Sequence, residues 1–221
     1  MTPKLLIFLA IGTVLMGIPI TLVARKYGIR VWKAFLTTFL LTVFGATGTF
    51  VMYFIENGRF GGLSFYGAVF LIPIAFAVVS PVLKIPYGKL LDLCAIGECI
   101  MLALMKVHCI LSECCIGRIL FTGSDGKVMR FPSREVELAV AIVIFVILLC
   151  WVHRGKHCGQ LHAWYFILYG STRFVLNILR EAWVTTNMLL PYGNIWSIVA
   201  VSVGILWLFI IKNIKSNIMS R

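Results

Sequence analysis

Apolar residues in this chain do not alternate with polar ones; they run on. Leu5 to Val23, Ala34 to Ile55 and Leu63 to Leu83 hold no charged residue over 19, 22 and 21 positions. About 20 such residues, wound as a helix rising 1.5 Å each, cross a hydrocarbon core of about 30 Å. Four interrupted segments follow: Leu90 to Met105 carries Asp92 and Glu98, Leu138 to Val152 is short, Leu161 to Leu179 contains Arg173, and Ile195 to Ile211 is free of charge. The pattern predicts an all-α, polytopic membrane protein of about seven transmembrane helices. The one sizeable segment between them, Ile119 to Val136, includes TGSDGKVMRFPS and reads as turn and loop. No internal repeat, low-complexity tract or long linker divides the sequence, so residues 1–221 are expected to form a single domain.

Composition excludes an ordinary soluble domain, with 61% hydrophobic residues and a mean hydropathy of +0.99. Lys4 ahead of an apolar run resembles a secretory signal. No small-residue cleavage site follows Val23, however, and the chain continues into Arg25 and Lys26, so the first segment is expected to be retained. Lys and Arg stay on the cytoplasmic side of short loops. Eleven of them, from Arg25 to Arg221, fall on one side of a seven-span arrangement and six, from Lys4 to Arg134, on the other. This places the amino terminus outside and the carboxyl terminus in the cytoplasm. The net charge of +12 suits anionic lipid headgroups and not nucleic acid, because no basic run is interleaved with aromatics in a soluble domain.

Charge inside a span changes the picture from architecture to chemistry. A charged group near the bilayer centre costs about 2.5 to 3.5 kcal/mol, so it normally faces a polar cavity. In YGSTRFVLNILR, Tyr169, Arg173 and Asn177 recur at every fourth position, and Arg180 stands seven after Arg173, which predicts one helical stripe for all four. Two guanidinium groups on one stripe suit an anionic group held at the membrane surface, since guanidinium grips phosphate as a fork. The bland alternative has Arg180 snorkelling to the interface and Arg173 pairing with Glu98 or Glu137 as structure only. The charge-derived topology also brings Tyr66, Lys106, Arg130, Glu137, Arg173 and Asn194 to one leaflet.

KVHCILSECCIGR raises a metal question. Cys109, Cys114 and Cys115 with His108 are soft ligands, but their spacing matches no usual zinc pattern, and adjacent cysteines on a helix point about 100° apart. No metal is expected. A disulfide stays open if the segment lies outside the cytoplasm. So does a packing reading, in which small residues let helices approach and Gly117 breaks the span.

Taken in order, these stretches resemble the prolipoprotein diacylglyceryl transferase family over nearly the whole length. GGLSFYGA stands where the family opens its third span, with Tyr66 at a variable His/Tyr position. MKVHCILSECCIGR matches a cysteine-bearing form of the signature, R-x-G-C-F-x-A-G-C-C-Y-G, through Cys109, Cys114, Cys115, Gly117 and Arg118. RFPSREVE keeps Arg130, Pro132 and Glu137 of a third motif, and YGSTRFVLNILR keeps Tyr169, Gly170, Arg173, Phe174 and Arg180 of a fourth. Gly193 and Asn194 stand for a Gly-Gln pair. The departures are Lys106 for an arginine, His108 for a glycine, Glu113 for a small residue, Phe131 for a histidine and Asn177 for a glutamate.

The resemblance implies a bacterial plasma-membrane enzyme that moves the diacylglyceryl group of phosphatidylglycerol onto the lipobox cysteine of prolipoprotein signal peptides, releasing glycerol 1-phosphate. No cofactor is implied, and the site is expected to face the extracytoplasmic leaflet. Arg173, helped by Lys106 or Arg180, would offset charge on the departing phosphate. Tyr66 would orient or deprotonate the thiol, although a phenol near pKa 10 is a poor base at neutral pH. His108 is the alternative base, imidazole being the side chain that titrates near neutrality. Tyr169, Asn177, Arg180, Arg130, Glu137, Gly117 and Asn194 would line the substrate site. The altered residues keep a second reading open, a catalytically silent paralogue that binds anionic lipid or signal peptides.

Overall fold

The computed structural model describes residues 3–59, 61–122, 124, 127–180 and 191–219. Among them are seven long helices: α1 (Pro3–Lys26), α2 (Val31–Asn57), α3 (Phe65–Leu83), α4 (Tyr87–Leu111), α5 (Ser133–His153), α6 (Leu161–Ile178) and α7 (Tyr192–Met219). Five of them, all but α4 and α6, are long and apolar enough to cross a membrane. Arg221, used above in the charge balance, lies outside the described residues.

The bundle is built around α4. From Leu90 to Cys99 every residue of this helix is buried, because α1, α3, α5 and α6 pack around it. This explains its charges: Asp92 and Glu98 face protein and not lipid. The outer helices are reversed in character, with Val14, Val78, Val82 and Phe209 among the large apolar residues left uncovered, as suits a hydrocarbon surround.

Asp92 ties three elements together. Its carboxylate accepts from the Tyr27 hydroxyl at 2.7 Å and from the backbone N–H groups of Gly159 and Leu161 at 2.6 and 2.9 Å. Leu161 opens α6, whose first N–H groups have no partner within the helix, and Gly159 lies just before its cap. Burial, and next the Asp92 carboxylate, push the Tyr27 phenol well above its ordinary range, so it remains a donor. Two cations counted above for topology also close helices. Lys26 Nζ donates to the Val152 and His153 carbonyls at 2.6 and 2.5 Å, and Lys33 Nζ donates to the Leu83 carbonyl at 2.6 Å, at the ends of α5 and α3.

Where α2 and α3 cross, Gly48 and Gly67 meet backbone to backbone. A Cβ on either would overlap the other's carbonyl, so only glycine permits this approach. The contact fixes the residue next to Gly67, which is Tyr66.

The all-α expectation needs one correction. The segment after α4 is not all turn and loop: β1 (Ile119–Thr122) and β2 (Val128–Arg130) pair antiparallel as an exposed hairpin, with Ile119 opposite Arg130 and Thr122 opposite Val128. The short runs ILFT and VMR are β-branched and apolar enough to pair around a turn-rich centre.

Candidate functional site

Three helices bring one carboxylate between two cations. Glu137 on α5 pairs through Oε1 with Arg173 on α6 and through Oε2 with Lys106 on α4. The Ser133 hydroxyl donates to Oε1 at 3.4 Å. The side chains of Lys106, Glu137 and Arg173 are only 10%, 4% and 14% exposed, which makes this a buried triad with one positive charge in excess. Burial of a lone charge is expensive, and each cation here has the carboxylate within contact.

The sequence stripe of four residues is three residues long in the structure. Tyr169, Arg173 and Asn177 lie on α6, which ends at Ile178. Arg180 has left the helix and forms an isolated β-bridge with Gly117, next to an Arg118 N–H bond to the Leu179 carbonyl at 3.0 Å. Gly117 is required at this bridge, because a Cβ there would overlap the Phe131 carbonyl. Arg180 still reaches the site, from the chain beyond α6.

Two cavities share the arginines as a wall. The smaller, of about 360 Å³, is lined by Glu56, Tyr66, Asn177 and Asn194 together with Arg173 and Arg180. The larger, of about 840 Å³, is lined by apolar residues such as Met16, Leu41, Phe50 and Ile72 from α1 to α3, and by Lys106, His108, Arg173 and Arg180 at its polar side. In the smaller cavity Asn177 Nδ2, Asn194 Oδ1 and Arg173 Nε are buried without a hydrogen-bond partner among the described residues. Orphaned donors and an orphaned acceptor in one cavity favour a polar ligand that can satisfy both.

Tyr66 is placed by its hydroxyl. Its oxygen lies 2.5 Å from Ser197 Oγ, and Ser197 Oγ donates to the Gly193 carbonyl at 2.7 Å. Serine has one hydroxyl proton, so Tyr66 is the donor to Ser197. Its ring also packs on Tyr169, with centroids 5.5 Å apart. A phenol whose proton is held this way is a positioned acceptor and not a poised base.

Other sequence-derived positions fall elsewhere. Arg130 is exposed on β2, where Nη1 donates to the Gly117 carbonyl at 3.3 Å, and it lines neither cavity. It supports the bridge that holds Arg180. His108 stands half-buried on the wall of the larger cavity, edge-on to Phe8 and 3.4 Å from the Ser112 hydroxyl. Asn194 is fully buried and donates to the Phe174 carbonyl at 3.2 Å. Glu98 approaches His162 at 3.6 Å and not Arg173.

Sequence reasoning missed Glu56 and Ser197. Glu56 accepts from the Ser64 hydroxyl at 2.9 Å and lines the smaller cavity. Its signal was an acidic residue in the last turn of a helix, where the dipole disfavours it. Ser197 carried no signal, because a serine in a span is ordinary.

The cysteine segment also differs from its expected geometry. α4 stops at Leu111, and Glu113 and Cys115 take left-handed φ values of 52° and 58°. Cys114 and Cys115 are therefore not on a helix, and the 100° divergence does not apply. Cys109 Sγ lies 3.9 Å from Cys115 Sγ. The Cys109 thiol beside it, with the charges of Arg180 and Lys106 against the opposing effect of burial, pulls the Cys115 thiol down to about 4.

Compared with known proteins, residues 6–210 match the family model described as prolipoprotein diacylglyceryl transferase. A protein of Wolinella succinogenes named phosphatidylglycerol–prolipoprotein diacylglyceryl transferase is 30% identical over 175 residues, covering 74% of this chain and 64% of the relative. A Campylobacter lari protein of the same name is 31% identical over 175 residues, covering 73% and 64%. One from Geobacter sulfurreducens is 30% identical over 129 residues, covering 55% and 49%. The chain thus spans just under two thirds of the length of the first two relatives.

Proposed function

The chain belongs to the prolipoprotein diacylglyceryl transferase family, and from that premise we propose that it transfers the diacylglyceryl group of phosphatidylglycerol to the lipobox cysteine thiol of a prolipoprotein. Its apolar helices and bacterial relatives make it a multi-pass bacterial membrane protein. In this reading all seven helices cross the membrane, the amino terminus lies outside, and both cavities are reached from the extracytoplasmic leaflet.

The observation that carries the proposal is the arginine wall shared by a large apolar cavity and a smaller one edged by Glu56, Asn177 and Asn194. Phosphatidylglycerol has the same three parts in the same order. Its acyl chains suit the larger cavity, its phosphodiester suits Arg173 and Arg180, and its terminal glycerol suits the orphaned polar atoms of the smaller cavity. The reaction forms a bond from sulfur to the glyceryl carbon and breaks the bond from that carbon to the phosphate oxygen. Glycerol 1-phosphate leaves with the electron pair, and the arginines offset the developing charge. Tyr66, its proton committed to Ser197, accepts a hydrogen bond from a hydroxyl of the terminal glycerol in the smaller cavity and orients the headgroup. His108, on the larger cavity, takes the thiol proton.

One observation favours the silent-paralogue reading: two of the altered signature positions sit at the site itself, Lys106 in the triad and Asn177 on the smaller cavity. Reconstitution in phosphatidylglycerol vesicles with a lipobox peptide separates the two. Transfer adds one diacylglyceryl mass to the peptide and releases glycerol 1-phosphate. Lipid binding without any mass gain, under conditions where the Wolinella succinogenes relative transfers, would decide for the silent binder.

A further inference from the structure

Three thiols converge where α4 ends. Cys109 sits in its last turn, and Cys114 and Cys115 follow the bend, which is closed by a Cys114 N–H bond to the Cys109 carbonyl at 3.2 Å. The sulfur atoms of all three lie within 4.8 Å of one another, and none is in a disulfide. Thiolates bound to one metal at about 2.3 Å each stand about 4 Å apart in a trigonal shell, which is the Cys109 to Cys115 separation of 3.9 Å. Left-handed backbone at Glu113 and Cys115 is disfavoured for residues with a Cβ and persists only where something is gained. Here it turns the sulfur of Cys115 toward those of Cys109 and Cys114. A packing role needs no such convergence, and a disulfide would engage only two of the three.

We propose that Cys109, Cys114 and Cys115 form a three-thiolate site for one soft d10 metal ion, with Cu(I) preferred. Three thiolates complete a trigonal shell for Cu(I), whereas zinc asks for a fourth ligand, and among the described residues the cluster of converging ligand atoms holds no histidine or carboxylate. Lys106 and Arg180, whose charges act on Cys115, offset the surplus of negative charge. The site lies on the wall of the larger cavity, so a bound ion would pin the bend after α4 beside both cations. This inference does not depend on the transfer reaction.

The test uses the full chain in detergent, reduced and free of oxygen, titrated with Cu(I) against a chromophoric Cu(I) chelator. One ion per chain should be withheld from the chelator. Replacing any one of the three cysteines by serine should weaken binding at least about a hundredfold, since losses of even outer-shell partners reach that range. Cys150→Ser and Cys158→Ser should leave it unchanged. X-ray absorption should report three sulfur neighbours. Cys114 is exposed, so Cys114→Ser folds and is the decisive variant: affinity equal to the parent protein overturns the site. Failure of the parent protein to withhold the ion overturns it too. An intramolecular disulfide between two of the three in protein purified without reductant assigns the cluster to redox chemistry instead.

Discussion

Arg173 on α6 is ion-paired to Glu137 on α5, and the same arginine lines both cavities. The pair holds the guanidinium in place at the wall while its Nε has no partner among the described residues. A cation fixed by one carboxylate and left with a buried, unpartnered N–H is arranged for a second anion. Arg173→Lys keeps the charge and loses the fork, and Arg173→Ala loses both. If the lost contact stabilises the departing phosphate by about 3 kcal/mol, transfer to a lipobox peptide should fall on the order of a hundredfold with alanine and less with lysine. Retention of most activity by Arg173→Ala, at equal membrane abundance, would make the pair purely structural.

Glu137→Gln removes the charge between Lys106 and Arg173 and leaves two buried cations facing each other. Breaking a buried pair costs about 3 to 5 kcal/mol, so thermal unfolding in detergent should shift down clearly. Arg173→Lys and Arg173→Ala both leave Lys106 paired with Glu137 and should shift less; a Glu137→Gln midpoint equal to theirs would show that the triad does not hold the helices.

Asp92 gives a prediction about folding alone. It accepts three hydrogen bonds from Tyr27 and the start of α6, and hydrogen bonds to a charged group contribute about 1.5 to 3 kcal/mol each. Asp92→Ala should lower stability by several kcal/mol and increase proteolysis of the Arg154 to Gln160 connection, while Tyr27→Phe, which removes one donor, should cost about 1.5 to 3 kcal/mol. Equal stability of all three proteins in a denaturant or thermal series would refute the staple.

Gly67→Ala tests the α2–α3 crossing. Its methyl would overlap the Gly48 carbonyl, and overpacking of this kind costs about 1 to 3 kcal/mol. Because Tyr66 is the adjacent residue, the displaced helix should also weaken lipid binding more than the stability loss alone explains. The comparison is phosphatidylglycerol affinity in Gly67→Ala against Gly17→Ala, whose nearest neighbour is a side-chain methyl of Thr38 at 3.8 Å.

Cys115 should remain reactive in acid. Alkylation follows the thiolate, and an ordinary thiol near pKa 8.5 loses about tenfold in rate for each pH unit below that value. With its thiol pulled down by the neighbouring Cys109 thiol and by the charges of Arg180 and Lys106, Cys115 in reduced, metal-free protein should lose clearly less than tenfold in alkylation rate for each pH unit below 8. Peptide mapping after timed iodoacetamide pulses reads this directly, and a tenfold fall per unit would show that neither the Cys109 thiol nor the two cations act on it.

The uncharged runs determined the helices on their own. Leu5 to Val23 and Leu63 to Leu83 became α1 and α3 because no polar group interrupts them and a backbone in hydrocarbon must satisfy itself. The motif order was legible too, and it marked Tyr66, Lys106, Glu137, Arg173, Asn177 and Asn194, all of which line the cavities or hold their wall. Tertiary structure decided the rest, because each case depends on a partner distant in sequence. Glu137 was one of two possible partners for Arg173 until α5 and α6 packed. Arg180 looked helical until Gly117 drew it into a bridge beyond α6, and Arg130 went to the surface with β2. Helical geometry sets the adjacent Cys114 and Cys115 apart, whereas two left-handed residues, Glu113 and Cys115, bring both sulfurs to that of Cys109. Periodicity reports which face a residue takes on a regular element. It carries no information where the element ends, and at the ends of α4 and α6 this chain places its cysteine cluster and its second arginine.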